Sequence, residues 1–485
     1  MTTLVIHDIK FSHPAGGGRI RPRFRIGVAF VAAVCLLFLP HAIPAAPANA
    51  LFSENGLSDQ VDFWEQVFTR WGQNQVLIHD RQDLRLVYEV MQLDGDFLRD
   101  PAAAKAQEQA VRSRLEHWEG LLRHAAGRIE SGDPPDPATA RVLAVVGGRL
   151  GRPPAAAELR ELAGRLRSQR GIREEFAAGW RRAGRYYPHM QTIFRANGIP
   201  EEILAIPFFE SSFREDSRSR KGATGVWQFI RSTGRVFLRV NRNFDERLDP
   251  LLATYGAVKF LRDAHRKLGS WPLAVMAYNH GTNGILRAQQ RLGSDPPTII
   301  RYYSSGQFGF ASRNYYPEFL ASLRILRQPE RYFPDLVQAS PWEFREIHLS
   351  RSATFAQLQK QYRVPADVML DFNPAVIRSR AAAKLSFPAG FRLKLPPAET
   401  PDTAASGDAA PIVTPAAPAA PAPAASVVPA PAAPAAAGRK IHRVQAGETL
   451  YRIAVNHKVT VAQLRQWNKL PDNTIRVGQR LVVQP

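Results

Sequence analysis

Apolar residues recur along this chain mostly at the spacing that packs helices. Phe63, Trp64, Val67, Phe68 and Trp71 fall three and four apart, as do Leu115, Trp118 and Leu122. Residues 51 to about 169 therefore read as helices whose aromatic stripes are interior packing, interrupted at Pro134, Pro135 and Pro137. A further helix is expected over 171–197, carrying Phe176, Trp180, Tyr186 and Tyr187 and stopped at Gly198. Pro200 with Glu201 and Glu202 opens the next, because proline suits a first turn and acids suit the positive end of the helix dipole. The stretch 214–224 is polar and reads as a loop. Asp249-Pro250 starts another helix with the aspartate as cap; Leu251, Tyr255, Val258 and Leu261 form its apolar face, and Gly269 ends it. Residues 271–280 make the helix after that.

Composition shifts mark the rest. Residues 399–439 are Pro/Ala-rich low complexity, which cannot bury a core and serves as a semi-rigid spacer. At the other end Arg19, Arg21, Arg23 and Arg25 precede an apolar run over 26–39 and then Ala48-Asn49-Ala50, the order of a secretory signal occupying residues 1–50. The run is short for a membrane span. Its Cys35 is the only cysteine, so removal of the signal would leave neither thiol nor disulfide. An exported protein is expected, periplasmic or associated with the cell envelope. A chain of 485 residues is too long for one core, and its formal charge of +21 favours an acidic polymer: nucleic acid, anionic lipid or cell wall. No zinc spacing, P-loop or basic run interleaved with aromatics points to nucleic acid.

The candidate chemistry centres on Glu210. Ile203 and Ile206 lie seven and four residues before it, on the same helix face, and Phe208, Phe209 and Phe213 crowd it. Burial disfavours a charged carboxylate, and a glutamate kept protonated near neutral pH can act as a general acid. A buried structural glutamate gives the same pattern, so the neighbouring motifs decide. Gly222 to Gln228 form a glycine-rich turn ending in an aromatic and an amide, and Ala277-Tyr278-Asn279-His280-Gly281 adds a second cluster of hydrogen-bonding groups beside an aromatic. One acid among aromatics and amides suits a sugar polymer.

These pieces resemble, in order, the motifs of the soluble-lytic-transglycosylase family: Glu210-Ser211-Ser212-Phe213 for E-S-x-F, Gly225-Val226-Trp227-Gln228 for G-L-[MW]-Q, and Ala277-Tyr278-Asn279 for A-Y-N. Tyr315, within Ser312-Arg313-Asn314-Tyr315-Tyr316-Pro317, matches a fourth. The resemblance implies a lysozyme-like helical catalytic domain over 176–330, preceded by a helical region over 51–175. It makes Glu210 the sole acid/base, with Ser211, Gln228, Tyr278, Asn279 and Tyr315 binding substrate. Glu210 would protonate the β-1,4 glycosidic oxygen between MurNAc and GlcNAc while the substrate's N-acetyl group stabilises the cationic centre. The carboxylate would then take the C6 hydroxyl proton, leaving a 1,6-anhydro-MurNAc end with no metal or organic cofactor. Ordinary glycosidases use two carboxylates. The matched motifs hold no second one, since Glu215 and Asp216 lie on a polar loop and Asp245 and Asp249 look like caps. The chain also departs from the family: Ala311-Ser312 stands where Glu-Thr is common, Arg231 where Pro is usual, and His280 where Ala is usual. A lysozyme-like hydrolase and a non-catalytic wall-binding scaffold are the alternatives.

Residues 440–485 resemble a lysin motif (LysM): His442-Arg443-Val444 as a strand, Gly447-Glu448-Thr449-Leu450 opening a helix, Thr460 and Gln463 as a capping box, and Gly478 to Leu481 leading into a last strand. The resemblance implies a βααβ fold that binds N-acetylglucosamine-containing polymers, with Gly447, Thr449, Leu470 and Asn473 as glycan contacts and Leu450, Ile453, Leu464 and Trp467 as core. Residues 342–398 look like a degenerate copy. The expected molecule is mainly α, ends in small α+β modules, and has peptidoglycan as its partner.

Overall fold

The computed structural model describes residues 51–377, 384–397 and, in the last unit, 440–444, 461–470, 478–484 and a few positions among them. The expected signal, the Pro/Ala-rich spacer, Gly447, Thr449, Asn473 and the Thr460 cap lie outside the described residues. The chain divides into two units, 1–415 and 416–485.

The first unit begins with α1 (Ser58–Thr69), β1 (Gln75–Asp80), β2 (Val87–Gln92), α2 (Pro101–Ser131), α3 (Pro137–Leu150), α4 (Ala156–Ala163) and β3 (Leu166–Arg170). Three strands correct the all-helical reading of this region: they form an antiparallel sheet in the order β2-β1-β3. β1 is central and buried on both faces, sending Val76 and Ile78 into a core with α2–α4 and Leu77 into a second core with α1. A strand covered on both sides is a continuous apolar run in sequence, which periodicity cannot separate from a buried helix. The helical stripes are where expected, with Phe63, Trp64, Val67 and Phe68 buried on α1 and Trp118 and Leu122 on α2.

Next come α5 (Arg173–Ala196), a 3-10 turn (Glu201–Ala205), α6 (Ile206–Glu210), α7 (Arg231–Phe237), α8 (Pro250–Leu268), α9 (Trp271–His280), α10 (Thr282–Leu292), α11 (Pro296–Tyr302), α12 (Phe310–Arg327) and α13 (Pro329–Tyr332). The single helix expected from Pro200 to Glu210 is split. Pro207 has no N–H to continue the ladder, and it stands at the start of α6 just after the 3-10 turn. α8 starts as expected, Asp249 accepting from the Leu251 and Leu252 amides at 3.1 and 3.0 Å. One apolar core joins α1 to α5, α6, α8, α9 and α12. Inside it Trp64 Nε1 donates to Asn314 Oδ1 at 2.9 Å, while Arg324 near the far end of α12 meets Asp62 and Glu65 of α1 at 2.7 and 2.6 Å. Helix α12 is thus held to α1 along its length.

Residues 345–395 add β4 (Arg345–His348), β5 (Ala353–Thr354), α14 (Phe355–Tyr362), α15 (Ala366–Phe372), β6 (Ser386–Phe387) and β7 (Arg392–Leu395), with β4 paired to β7 and β5 to β6. Phe355, Leu358, Met369, Phe387 and Leu393 form their core, which Phe244 enters from the helical domain. The two parts are bonded directly: the Asp245 amide donates to Ala375 O at 2.7 Å, and Lys394 Nζ lies 2.6 Å from Asp249 Oδ2 with both side chains buried. In the second unit, strands Lys440–Arg443 and Arg480–Gln484 pair antiparallel beside the helix Val461–Asn468. Val444, Leu450, Ile453, Leu464, Leu481 and Val483 form its core, with Trp467 partly buried against it. Leu470, expected as a glycan contact, also packs on this core with part of its surface open. Among the described residues no helix is long and apolar enough to cross a membrane.

Candidate active site

Glu210 ends α6, and the chain reverses immediately after it. Ser212 and Phe213 adopt the left-handed conformation at φ 50° and 56°, a strained pair for non-glycine residues. Packing holds them there: Phe213 sits edge-on to Phe208 at 4.7 Å between ring centroids, and α5 passes so close that a Cβ on Gly179 would lie 3.0 Å from that of Ser212. Ser211 is buried and its hydroxyl donates to Val226 O at 2.7 Å. The hydroxyl expected to meet substrate is thereby engaged in tying α6 to the glycine-rich loop.

Glu210 as a residue is half-buried. Tyr315, buried on α12, donates its phenol to Glu210 Oε1 at 2.7 Å, and Phe209 packs edge-on against the same ring at 5.1 Å. Removal of water by this apolar floor pushes Glu210 up to about 7; the Tyr315 hydrogen bond, which favours the ionised form, opposes the rise without cancelling it. A carboxyl near 7 is about half protonated at neutral pH and can give a proton away and take one back.

The loop beside it depends on two features. Gly225 has φ 78°, and a Cβ there would stand 1.8 Å from Arg247 O, so only glycine fits. The buried Arg247 guanidinium binds Asp245 at 2.9 and 2.7 Å and the carbonyls of Gly222 and Phe229 at 3.0 and 3.1 Å, which fixes the loop from beneath. Gln228, also at positive φ, donates its amide nitrogen to Gly225 O at 2.8 Å. Trp227 is buried with its indole N–H on Thr254 Oγ1 at 2.8 Å, and its carbonyl accepts from the Tyr278 phenol at 2.9 Å. Burial first, and then the nearby Glu210 charge, raise the Tyr278 phenol well above its ordinary value. Asn279 is exposed at the end of α9, where its Oδ1 accepts from Ser312 Oγ of α12 at 3.0 Å.

Tyr315 bonds Glu210 directly and Tyr278 lies close enough to feel its charge, while Ser211 and Gln228 bond to carbonyls of the glycine-rich loop and Asn279 bonds to the start of α12. Tyr315 and Ser211, expected to bind substrate, are buried, with Tyr315 hydrogen-bonded to the acid and Ser211 to the loop. Sequence reasoning gave no role of their own to three residues here. Arg247 lies outside every motif, although an arginine two residues after Asp245 in a helix-start sequence is a usable cue. Ser312 meets Asn279 only through the α9–α12 packing. Glu318 lies one turn beyond Tyr315 on α12, completely buried, and burial first and the Glu210 charge second hold it well above the carboxylate range, while Arg167 of β3 acts in the opposite sense. The i, i+3 spacing from Tyr315 was its available signal. Among the described residues no group of three or more His, Cys, Asp or Glu side chains could hold a metal ion.

Comparison with known proteins agrees with the motifs. Residues 192–298 match the Transglycosylase SLT domain family and residues 442–484 match the LysM domain family. The chain is 26% identical over 296 residues to membrane-bound lytic murein transglycosylase D of Escherichia coli (strain K12), covering 60% of this chain and 61% of that protein. It is 30% identical over 170 residues to membrane-bound lytic murein transglycosylase F 2 of Alkalilimnicola ehrlichii, covering 30% of this chain and 36% of that one. The chain thus spans about three-fifths of the first relative and about one-third of the second. Among solved structures an inactive mutant of lytic transglycosylase Slt from Pseudomonas aeruginosa aligns at 20% identity and a TM-score of 0.25, over 50% of this chain and 38% of that one, a likeness too slight to carry an argument.

Proposed function

We propose that this protein is an exported peptidoglycan lytic transglycosylase in which Glu210 performs both proton transfers. The observation that carries the reading is the Glu210 carboxyl at the end of α6, hydrogen-bonded to the buried Tyr315 at 2.7 Å; burial pushing it up to about 7 supports the same role. Protonated Glu210 gives its proton to the glycosidic oxygen between MurNAc and GlcNAc as that bond breaks. The substrate's N-acetyl group stabilises the sugar cation, and the C6 hydroxyl closes on C1 while the Glu210 carboxylate takes its proton. The acid is regenerated, and the product ends in 1,6-anhydro-MurNAc. Gln228 and Asn279 bind the glycan; Ser211, Tyr278 and Tyr315 hold the walls in place.

A hydrolase of the two-carboxylate kind requires a second carboxyl, either as the base for water on the opposite sugar face or as a nucleophile. Glu318 is the nearby carboxyl that could fill that role, and its complete burial speaks against it; attack by water activated at Glu210 itself is told from the intramolecular route by the product ends. The 440–485 unit would keep the enzyme on its polymer, with Gly447, Thr449, Leu470 and Asn473 as glycan contacts, and the spacer over 399–439 would give it reach. The degenerate LysM-like assignment of 342–398 and the signal over 1–50 belong to the same proposal.

Solubilisation of purified sacculi tests the assignment. General acid catalysis contributes about 10²–10⁴-fold, so Glu210→Gln is expected to lose at least about a hundredfold in rate while still binding sacculi. A variant that clears sacculi at the wild-type rate overturns the role given to Glu210.

A further inference from the structure

Three side chains bridge the gap between the end of α9 and the start of α12. Ser312, buried at this junction, gives its hydroxyl proton to Asn279 Oδ1 at 3.0 Å and lies 3.1 Å from His280 Nδ1. A hydroxyl has one proton to donate; with that proton on Asn279, Ser312 can only accept from the imidazole, which places the histidine proton on Nδ1. The same bond occupies the carbonyl end of the Asn279 side chain. The amide nitrogen of this exposed residue is then the group left to meet a ligand.

The histidine is built into its position. Its ring stands perpendicular to Phe308 at 4.9 Å between centroids, and α10 makes room for it at Gly284, where a Cβ would come within 2.4 Å of the imidazole Cδ2 and 2.7 Å of Nε2. Gly284 is not at positive φ, so space alone accounts for the fit.

We infer that His280 and Ser312 are positioning residues that fix the polarity of Asn279, so that it presents a hydrogen-bond donor to the glycan groove and selects sugars bearing a carbonyl acceptor, as an N-acetylated amino sugar does. A de-N-acetylated sugar, whose ammonium can only donate at that position, is disfavoured. With the histidine proton on Nε2 instead, Ser312 would donate to Nδ1 and accept from Asn279, turning the amide oxygen toward the ligand. This inference rests on the proposed reading of the groove as a glycan site.

The test combines a spectrum with kinetics on the full chain. Selective ¹⁵N-histidine labelling, with the His280 resonances identified by their loss in His280→Asn, is expected to show a protonated Nδ1 and an unprotonated Nε2. On soluble N-acetylated glycan strands, His280→Ala is expected to raise KM on the order of fivefold with kcat changed less than about twofold, the size of one neutral hydrogen bond lost in binding. His280→Asn, whose amide nitrogen takes the place of Nδ1, restores KM; His280→Gln, whose nitrogen stands where Nε2 does, does not. Gly284→Ala, which displaces the ring without touching a polar group, behaves like His280→Ala. Partly de-N-acetylated strands narrow the gap between wild type and His280→Ala. An Nε2-protonated His280, an unchanged KM in His280→Ala, or equal losses in the Asn and Gln variants would overturn the relay. Absence of fragments with the wild-type protein would instead sink the glycan-cleaving reading, with the ¹⁵N spectrum still deciding the relay.

Discussion

At the scale of single residues, Glu210 combines a protonation state useful for chemistry with a cost in stability. Its carboxyl rises from 4.5 to about 7 on folding. A group raised in this way holds its proton more tightly folded than unfolded, so stability is greatest below about 4.5 and declines as pH climbs from there through about 7. Above 7 the loss is on the order of 3 kcal/mol. Glu210→Gln is therefore expected to melt at a higher temperature than wild type at pH 8, the two curves converging below about pH 4.5, as thermal unfolding across pH will read. The same value predicts that kcat/KM falls on the alkaline side with an apparent pKa of about 7. Because the Tyr315 hydrogen bond favours the ionised carboxylate, Tyr315→Phe shifts that limb to higher pH. A shift in the opposite direction would show that the phenol supports the neutral acid. Sequence made Glu210 legible through Ile206 and the phenylalanines around it, whereas Ile203 stands in the 3-10 turn and not on the helix that carries the acid. It left the hydrogen-bond partners of Ser211 and Tyr315 illegible, because those partners, Val226 O and the Glu210 carboxyl, are set by tertiary packing.

At the scale of elements, the positions that punctuation fixes were readable and those that tertiary packing fixes were not. Asp249 caps α8, and Gly269 ends it at φ 66°, as local chemistry dictates. β1 was missed because Gln75–Asp80 carries its apolar side chains to two cores at once, erasing the alternation that marks a half-buried strand. The split between the 3-10 turn and α6 follows from Pro207, a cue present in the sequence that the apolar spacing masked. For the glycine-rich loop, the 1.8 Å approach of Arg247 O to a Cβ at 225 leaves no soft partner to move. Gly225→Ala is expected to destabilise by about 1–3 kcal/mol and to abolish most activity by displacing Gln228. Denaturant unfolding alongside sacculus clearance will measure both, and an alanine variant with wild-type values would show that the loop is not held against Arg247.

At the scale of the whole molecule, the first unit couples its parts more tightly than composition implied. Residues 342–398 looked like a separate module, yet within the first unit Phe244 enters their core and Lys394 reaches Asp249 at the head of α8. Nothing local in Arg392–Leu395 distinguishes a buried lysine from a solvated one, since its partner is 145 residues away. Removing one member of a buried pair strands the other, so Lys394→Met is expected to cost about 3–5 kcal/mol, and the Lys394→Met, Asp249→Asn double variant clearly less than the sum of the two single ones. A double-mutant cycle by denaturant unfolding will read the coupling, and additive losses would mean that the pair contributes none.

The central claim is that one carboxyl and the substrate's own C6 hydroxyl cut the glycan, with no water consumed. Mass spectrometry of the fragments released from purified sacculi tests it most directly. Wild-type protein is expected to release fragments ending in 1,6-anhydro-MurNAc, one water lighter than hydrolysis products, and Glu210→Gln to release none above background. Fragments with reducing ends alone, or anhydro fragments undiminished in the Glu210→Gln digest, would contradict it.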